Sequence, residues 1–347
     1  MWLLYGLVIF IVSATITKIM VSFGITDRPT TRSLHTCPTP RAGGVAIVTV
    51  YSLGIAVLYY CKPEIFGIYS NGQLCTIAGA IAVIVATSLY DDIRPISYTY
   101  RLIIQVICAA AIAQSGLGLS KLWLPYVGYI QLGAFKALFT VLWVVSFINI
   151  FNFMDGVDGL VGGCCILACA FLAVVAQDNG DSLMRYSLAV LALSTLGFLM
   201  FNFPKAKIFM GDVGSHSLGF LFALHEINMD ATYAYVTPAD NFIPCLTAII
   251  IVGNFTFDVV FTLARRLASG KSIVLPHNEF LFHILYKNGW SHVKISLLHF
   301  GFVIFQGGLV CISKSKTSMA LSALIVLTVQ AVYAYIVLHM KNTVNAK

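Results

Sequence analysis

Charge is what this sequence has least of. Asp, Glu, Lys and Arg make up 10% of its 347 residues, apolar types make up 59%, and the mean hydropathy is +0.88. Soluble domains carry about 25% charged residues, so no single water-facing core can hide this much apolar surface. The bilayer has to be the solvent. Paired cysteine spacing is missing as well. Cys37, Cys61, Cys75, Cys108, Cys164, Cys165, Cys169, Cys245 and Cys311 lie mostly in apolar segments, with no C-x-x-C pair and no histidine partner nearby. They read as small buried hydrophobes, and neither a disulfide nor a zinc site is expected. The first segment has no positively charged start, and no small-x-small site is followed by a polar domain, so it reads as an uncleaved span.

What is present is a series of long apolar runs. A membrane helix needs roughly 20 such residues, and only helices and closed barrels satisfy their own backbone in lipid. Spans are predicted at 1–23, 44–61, 73–90, 102–115, 134–151, 159–176, 185–201, 215–227, 242–260, 293–312 and 318–340. The expected fold is therefore all-α: a polytopic membrane protein of about 10–11 transmembrane helices, with residues 1–347 forming one integral membrane domain. The runs at 102–115 and 215–227 are short and are expected to extend into their flanks.

Alternating these spans sorts the connections into two sets. One holds 24–43, 91–101, 152–158, 202–214, 261–292 and the tail. With Lys18 and Lys294 at the adjoining span ends, it carries fifteen of the 21 Lys and Arg residues, against six on the other side. The positive-inside rule places that set in the cytoplasm and the N-terminus outside. Asp27, Asp91, Asp92, Asp155, Asp158, Asp212, Asp258 and Glu279 fall on the same face. Carboxylates at membrane borders are costly unless paired, metal-bound or hydrated, which marks this face as the site.

Five segments there carry chemistry. Asp91-Asp92 closes the third span; adjacent carboxylates both stay ionised only beside a cation, such as a metal on phosphates. An acidic helix stop is the plainer reading of the pair taken alone. Arg101, at the start of the next span, can pair with either acid or fork onto a phosphate. In Asn149-Ile150-Phe151-Asn152-Phe153-Met154-Asp155-Gly156-Val157-Asp158-Gly159-Leu160, the spacing of three sets Asn149, Asn152, Asp155 and Asp158 on one side of a helical turn. Such a stripe cannot face lipid. Gly211-Asp212-Val213-Gly214-Ser215 opens a span; it suits either an ordinary N-cap or a phosphate- and metal-binding helix start. The loop after Asp258 contributes Arg265, Arg266, Lys271 and His277-Asn278-Glu279-Phe280. Its cations also serve as topology signals. The first loop adds Arg28, Arg32 and Arg41, suited to anionic lipid heads or substrate phosphates.

Together, Pro38-Thr39-Pro40-Arg41-Ala42-Gly43-Gly44, Asp91-Asp92, the Asn149 to Leu160 block and Gly211-Asp212-Val213-Gly214-Ser215 resemble the polyprenyl-phosphate N-acetylhexosamine-1-phosphate transferase family. This is glycosyltransferase family 4, in its O-antigen-initiating branch. The motifs occur in family order and spread over about positions 27–283. The resemblance implies a bacterial inner-membrane enzyme whose site faces the cytoplasm. It would transfer a sugar-1-phosphate (GlcNAc, QuiNAc, FucNAc or similar) from a UDP-N-acetylhexosamine to undecaprenyl phosphate, releasing UMP and initiating a surface polysaccharide. It implies Mg²⁺, with Mn²⁺ the alternative, held by Asp212 and Asn152. Asp91 and Asp92 match the essential acidic pair, with Asp91 as base. Asp155 and Asp158 match the nucleotide pocket, and Asn149, Arg101, Arg41 and His277 complete the expected substrate contacts. Membrane lipid and a homodimer are compatible partners; nucleic acid is not expected.

One motif departs from the family. The branch carries His-Arg-x-His where this chain has His277-Asn278-Glu279-Phe280. That puts the usual diphosphate contact in doubt, with Lys271, Arg265 or Arg266 as substitutes. Two other readings stand beside the enzyme: a cation-coupled transporter, and an inactive relative that binds prenyl phosphate. Transporters set their ionisable groups near the midplane, often on broken helices in two repeats. Here the acids gather at one face and no repeat is evident.

Overall fold

The computed structural model describes residues 2–22, 25–27, 29, 37–124, 128–236, 244–275, 277–313 and 315–345. Arg28 and Arg32 lie outside the described residues. Every predicted span is helical: α1 (Trp2–Val21), α2 (Gly44–Cys61), α3 (Asn71–Ile93), α4 (Tyr98–Gln114), α5 (Lys136–Met154), α6 (Leu160–Asp178), α7 (Ser182–Asn202), α8 (Gly211–Val236), the pair α9 (Pro244–Ile251) and α10 (Gly253–Ala268), α12 (His292–Ile312) and α13 (Lys316–Asn345). Eight helices among the described residues are long and apolar enough to cross a bilayer. The short fourth and eighth runs extend at their ends, as their flanks suggested. The ninth does not run through: it breaks at Val252, where φ −106° and ψ 30° leave the helical region. A seven-residue helix, α11 (Leu281–Lys287), lies in the connection before α12.

Local chemistry fixes several helix starts. Ser70 and Gln73 form a reciprocal capping box at α3, Asp181 accepts the Met184 N–H at α7, and Ser291 accepts the Lys294 N–H at α12. Asp258, on α10, does the same at a distance. Buried completely, it accepts the Leu281 and Phe282 N–H groups at 2.8 and 3.4 Å and so closes the start of α11. Two short antiparallel pairs complete the secondary structure: Thr26–Asp27 with Thr39–Pro40, and Lys121–Leu124 with Gly128–Gln131.

α8 is the hub, packing against α2, α3, α5, α7 and α9. α6 lies between α7 and α12, and α1 covers α7 and α2. Close approach around α8 depends on glycine. A Cβ on Gly44 would collide with the Gly214 backbone nitrogen, and one on Gly219 with the Phe147 carbonyl. Small residues let membrane helices approach closely and gain packing that lipid cannot supply. Phe147, Phe151, Phe222 and Phe255 fill the interior between α5, α8 and α10, with ring centroids 5.4 to 5.7 Å apart. As a result α3 and α5 end, and α2, α4 and α8 begin, at one end of the bundle.

Candidate active site

Those five helix ends bring the acidic motifs together. Asp91 and Asp92 stand on the last turn of α3, both 6% exposed. Arg101, on the first turn of α4, reaches across with one guanidinium nitrogen. Its Nη1 lies 2.8 Å from Asp91 Oδ2 and 2.7 Å from Asp212 Oδ2. Asn152, near the end of α5, donates from Nδ2 to Asp212 Oδ1 at 2.9 Å and to Ser215 Oγ at 3.0 Å. Asp91, Arg101, Asn152 and Asp212 thus make one contiguous network drawn from four helices.

Asp91 and Asp92 differ in what holds them. Asp91 Oδ1 accepts the Ile96 N–H at 2.7 Å, which fixes the carboxylate while Oδ2 faces Arg101. Asp92 turns toward α8 and accepts the N–H groups of Asp212 and Val213 at 3.2 and 3.4 Å. It closes the positive end of that helix as an N-cap would, from another helix. Gly211, at φ +70°, leaves room for it: a Cβ there would sit 2.6 Å from Asp92 Oδ2.

Arg41 also serves structure. Its Nε donates to the Asp92 carbonyl at 3.0 Å and its Nη2 to the Asp91 carbonyl at 3.3 Å, satisfying the end of α3. Its Nε lies 3.3 Å from Asp92 Oδ1 and its Nη1 3.6 Å from Asp27 Oδ1. The strap around it is stitched to the loop before α8. Phe209 N donates to the Pro40 carbonyl, Gly43 N to Phe209 and Gly44 N to Met210, at 2.7 to 3.0 Å. The Pro38–Gly44 and Gly211–Ser215 motifs are one structural unit.

The Asn149–Leu160 block corrects one expectation. Its four polar residues do not continue a single helical stripe, because α5 ends at Met154 and Asp155 takes φ −82°, ψ 70°. Gly159 then turns at φ +75°, with Phe203 so close that no Cβ fits. The four side chains disperse accordingly. Asn149 donates to Gln105 Oε1 and to the Val145 carbonyl, both at 2.8 Å. Asp158 Oδ2 accepts the Ala206 N–H at 3.0 Å, and its Oδ1 lies 3.1 Å from His292 Nδ1. The Asp155 N–H donates to the Asn152 carbonyl at 3.2 Å, and its carboxylate makes no hydrogen bond among the described residues. Its burial, then the negative charges of Asp212, Asp92 and Asp158, push its carboxyl up to about 8.

The departed loop is held by its own charges. Glu279 Oε1 takes Arg266 Nη1 at 2.9 Å and Lys271 Nζ at 3.0 Å, and its carbonyl accepts Arg265 Nη2 at 2.7 Å. Those hydrogen-bonded cations, Lys271 first, hold the Glu279 carboxyl below its ordinary range. The three cations expected to replace the missing motif are thus engaged with Glu279. His277 packs on Phe280, 4.8 Å between centroids, and Phe280 on Phe153 at 5.7 Å, which sets the loop against the end of α5. Among the described residues no hydrogen bond or ion pair joins His277 to the Asp91–Asp212 network; its Nδ1 accepts the Glu279 N–H at 3.4 Å.

Hard oxygen donors suit a Mg²⁺-sized cation, which takes one or two carboxylates and completes its shell with water and substrate phosphates. Among the described residues no group of three or more His, Cys, Asp or Glu is arranged as a ready-made cage. The side-chain amide oxygen of Asn152, Oδ1, accepts no protein hydrogen bond among them, and the amide lies beside Asp212, where Arg101 supplies the positive charge. The donor chemistry fits. Sequence reasoning missed Ser88, Gln105 and His216, which back this network; each is a helical turn from a motif residue on its own helix, and only helix pairing reveals them.

A family model described as Glycosyl transferase family 4 matches residues 74–230. The chain is 30% identical over 342 residues to a probable undecaprenyl-phosphate N-acetylglucosaminyl 1-phosphate transferase of Bacillus subtilis, covering 98% of this chain and 91% of that protein. It is 27% identical to the decaprenyl-phosphate N-acetylglucosaminephosphotransferase of Mycolicibacterium smegmatis, over 93% of this chain and 85% of the relative. It is 28% identical to the undecaprenyl-phosphate alpha-N-acetylglucosaminyl 1-phosphate transferase of Escherichia coli K12, over 79% and 72%.

Proposed function

The chain belongs to glycosyl transferase family 4, among the polyprenyl-phosphate GlcNAc-1-phosphate transferases, and on that premise we propose that it moves N-acetylhexosamine-1-phosphate from a UDP-sugar to undecaprenyl phosphate at the cytoplasmic face of the bacterial inner membrane. GlcNAc is the first choice of sugar, from the names of the relatives; QuiNAc and FucNAc remain in the donor set to be tested. The product serves as the first lipid-linked sugar of a surface polysaccharide.

In the proposed reaction an oxygen of the lipid phosphate attacks the sugar-bearing phosphorus of the donor. A new P–O bond forms, the bond to the bridging oxygen breaks, and UMP leaves with that oxygen. Asp91 takes the proton if the lipid phosphate arrives monoprotonated; Ile96 N–H holds one carboxylate oxygen and leaves the other toward the reacting groups. Arg101 exchanges a carboxylate for a phosphate, two acceptors its planar fork serves equally well. Asp212 and Asn152 would hold Mg²⁺, which neutralises the diphosphate and the leaving UMP. Phosphoryl transfer asks a protein chiefly for positioning and charge.

One observation carries this reading: Asp91 and Asp212, from separate helices, meet on one Arg101 guanidinium nitrogen, and Asn152 from a third helix holds the other oxygen of Asp212. The gathering of acids at one end of the bundle also disfavours a transporter, which would hold them at mid-depth. The test is UMP release from membranes supplied with a panel of UDP-sugars. Release should require both undecaprenyl phosphate and Mg²⁺, and Asp212→Asn should abolish it while the protein stays in the membrane. Release that survives Asp212→Asn overturns the metal assignment. A sugar-phosphate trapped on Asp91 or Asp92 without acceptor would replace direct attack by a covalent route.

A further inference from the structure

A second polar tier lies one helical turn deeper than the acids. Residues three or four apart share a helix face, so Ser88 lies below Asp92 on α3 and Gln105 below Arg101 on α4. Asn149 lies likewise below Asn152 on α5, and His216 below Asp212 on α8. This tier is cross-linked: Ser88 Oγ and His216 Nδ1 are 2.8 Å apart, and Asn149 Nδ2 donates to Gln105 Oε1. Ser88 and His216 are 2% and 4% exposed, so their hydrogen bond works without competition from water. A small cavity, with room for roughly one water, lies in the lower tier beneath Arg101; Ser88, Gln105 and His216 are part of its lining.

Two kinds of contact join α3 to α8 here. In the upper tier Asp92 holds the α8 backbone at 3.2 and 3.4 Å. In the lower tier the Ser88–His216 bond is tighter, at 2.8 Å, and joins the two helices side chain to side chain. We infer that Ser88 and His216 are positioning residues: their hydrogen bond sets the separation of α3 and α8, and with it the placing of Asp91 and Asp92 against Asp212 for divalent-cation binding. This rests on the metal site proposed above, and Asn149–Gln105 performs the corresponding service between α4 and α5.

The experiment is Mn²⁺ titration of the purified full-length protein followed by electron paramagnetic resonance, with UMP release measured in parallel. Ser88→Ala and His216→Leu should each weaken Mn²⁺ binding about tenfold, the size expected when support behind metal ligands is lost. The double variant should be no weaker than the worse single, because both remove one bond. His216→Asn, whose amide sits where Nδ1 did, should restore most of the affinity. Ser88→Ala removes a single oxygen atom and stands as the test if His216→Leu fails to fold. Wild-type affinity in the single variants, or additive losses in the double, overturns the inference. A wild type that binds Mn²⁺ and releases no UMP sinks the transferase reading and leaves this one standing. A wild type that binds no Mn²⁺ overturns the metal site and this inference together.

Discussion

The carboxylate of Asp92 accepts the backbone N–H of Asp212 at 3.2 Å, so one acid of the pair closes the helix on which the third acid stands. Asp91, its sequence neighbour, instead keeps Oδ2 on Arg101 beside Asp212. Two adjacent, chemically identical residues therefore carry different duties. Asp92→Ala should cost about 1–2 kcal/mol of stability through the lost cap and take activity with it. Asp91→Asn should leave the melting temperature nearly unchanged and lower UMP release by about 10²–10⁴-fold, the usual worth of a proton-transfer group. Thermal melting paired with UMP release reads both; the reverse pattern would exchange the two roles.

Arg101 is the local counter-charge for two carboxylates. Arg101→Gln leaves Asp91 and Asp212 facing each other without it, a loss of about 1–3 kcal/mol for a hydrogen-bonded charge partly removed from water. In EDTA the variant should melt several degrees below wild type, and millimolar Mg²⁺ should recover most of the difference. Equal loss with and without Mg²⁺ would mean that the cation does not reach these acids.

Asp155 supplies a pH dependence. Its carboxyl is pushed up to about 8 in the folded chain, against about 3.9 in an unfolded one. The folded state binds this proton more tightly, so the contribution to stability is complete below pH 3.9 and is lost as pH rises through 8. In metal-free buffer the melting temperature should therefore fall across that window, and Asp155→Asn should flatten the fall. A wild-type melting temperature that stays level from pH 5 to 8 in EDTA would contradict the charge crowding at this position.

Glycine contacts predict a contrast between two identical substitutions. Gly44→Ala drives a methyl into the Gly214 backbone, where nothing soft can yield, and should cost about 1–3 kcal/mol by overpacking. Gly79→Ala, with nothing within 4 Å of the added carbon, should be neutral or slightly stabilising because alanine favours the helix. Yield of folded protein after detergent extraction separates them.

Much of this was legible in the residues. A charge or an amide is conspicuous in so apolar a chain, which is why Asp91, Asp92, Arg101, Asn152 and Asp212 stand out before any helix is paired. The spans were legible for the same reason: length and hydropathy alone dictate a membrane helix. Hidden were features that need two elements at once. At Val252 only Gly253 and Asn254 hint that the ninth span breaks, and one glycine and one amide in so apolar a run do not by themselves end a helix. A loop arginine such as Arg41 shows its charge in the sequence but not the α3 carbonyls it meets. Asp258 looked like a border acid, whereas its partners lie 23 residues on, at the start of α11. Asp155 and Asp158 kept helical spacing in the sequence after the helix itself had stopped, and glycine at 156 and 159 was the only local warning.

The stitching of residues 40–44 to 209–214 has a practical consequence. Asp212 is aimed by a segment that begins some 170 positions earlier in the chain and whose Arg41 also holds the carbonyls of Asp91 and Asp92. A substitution that parts these two backbones would therefore disturb all three acids at once, although it touches none of their side chains.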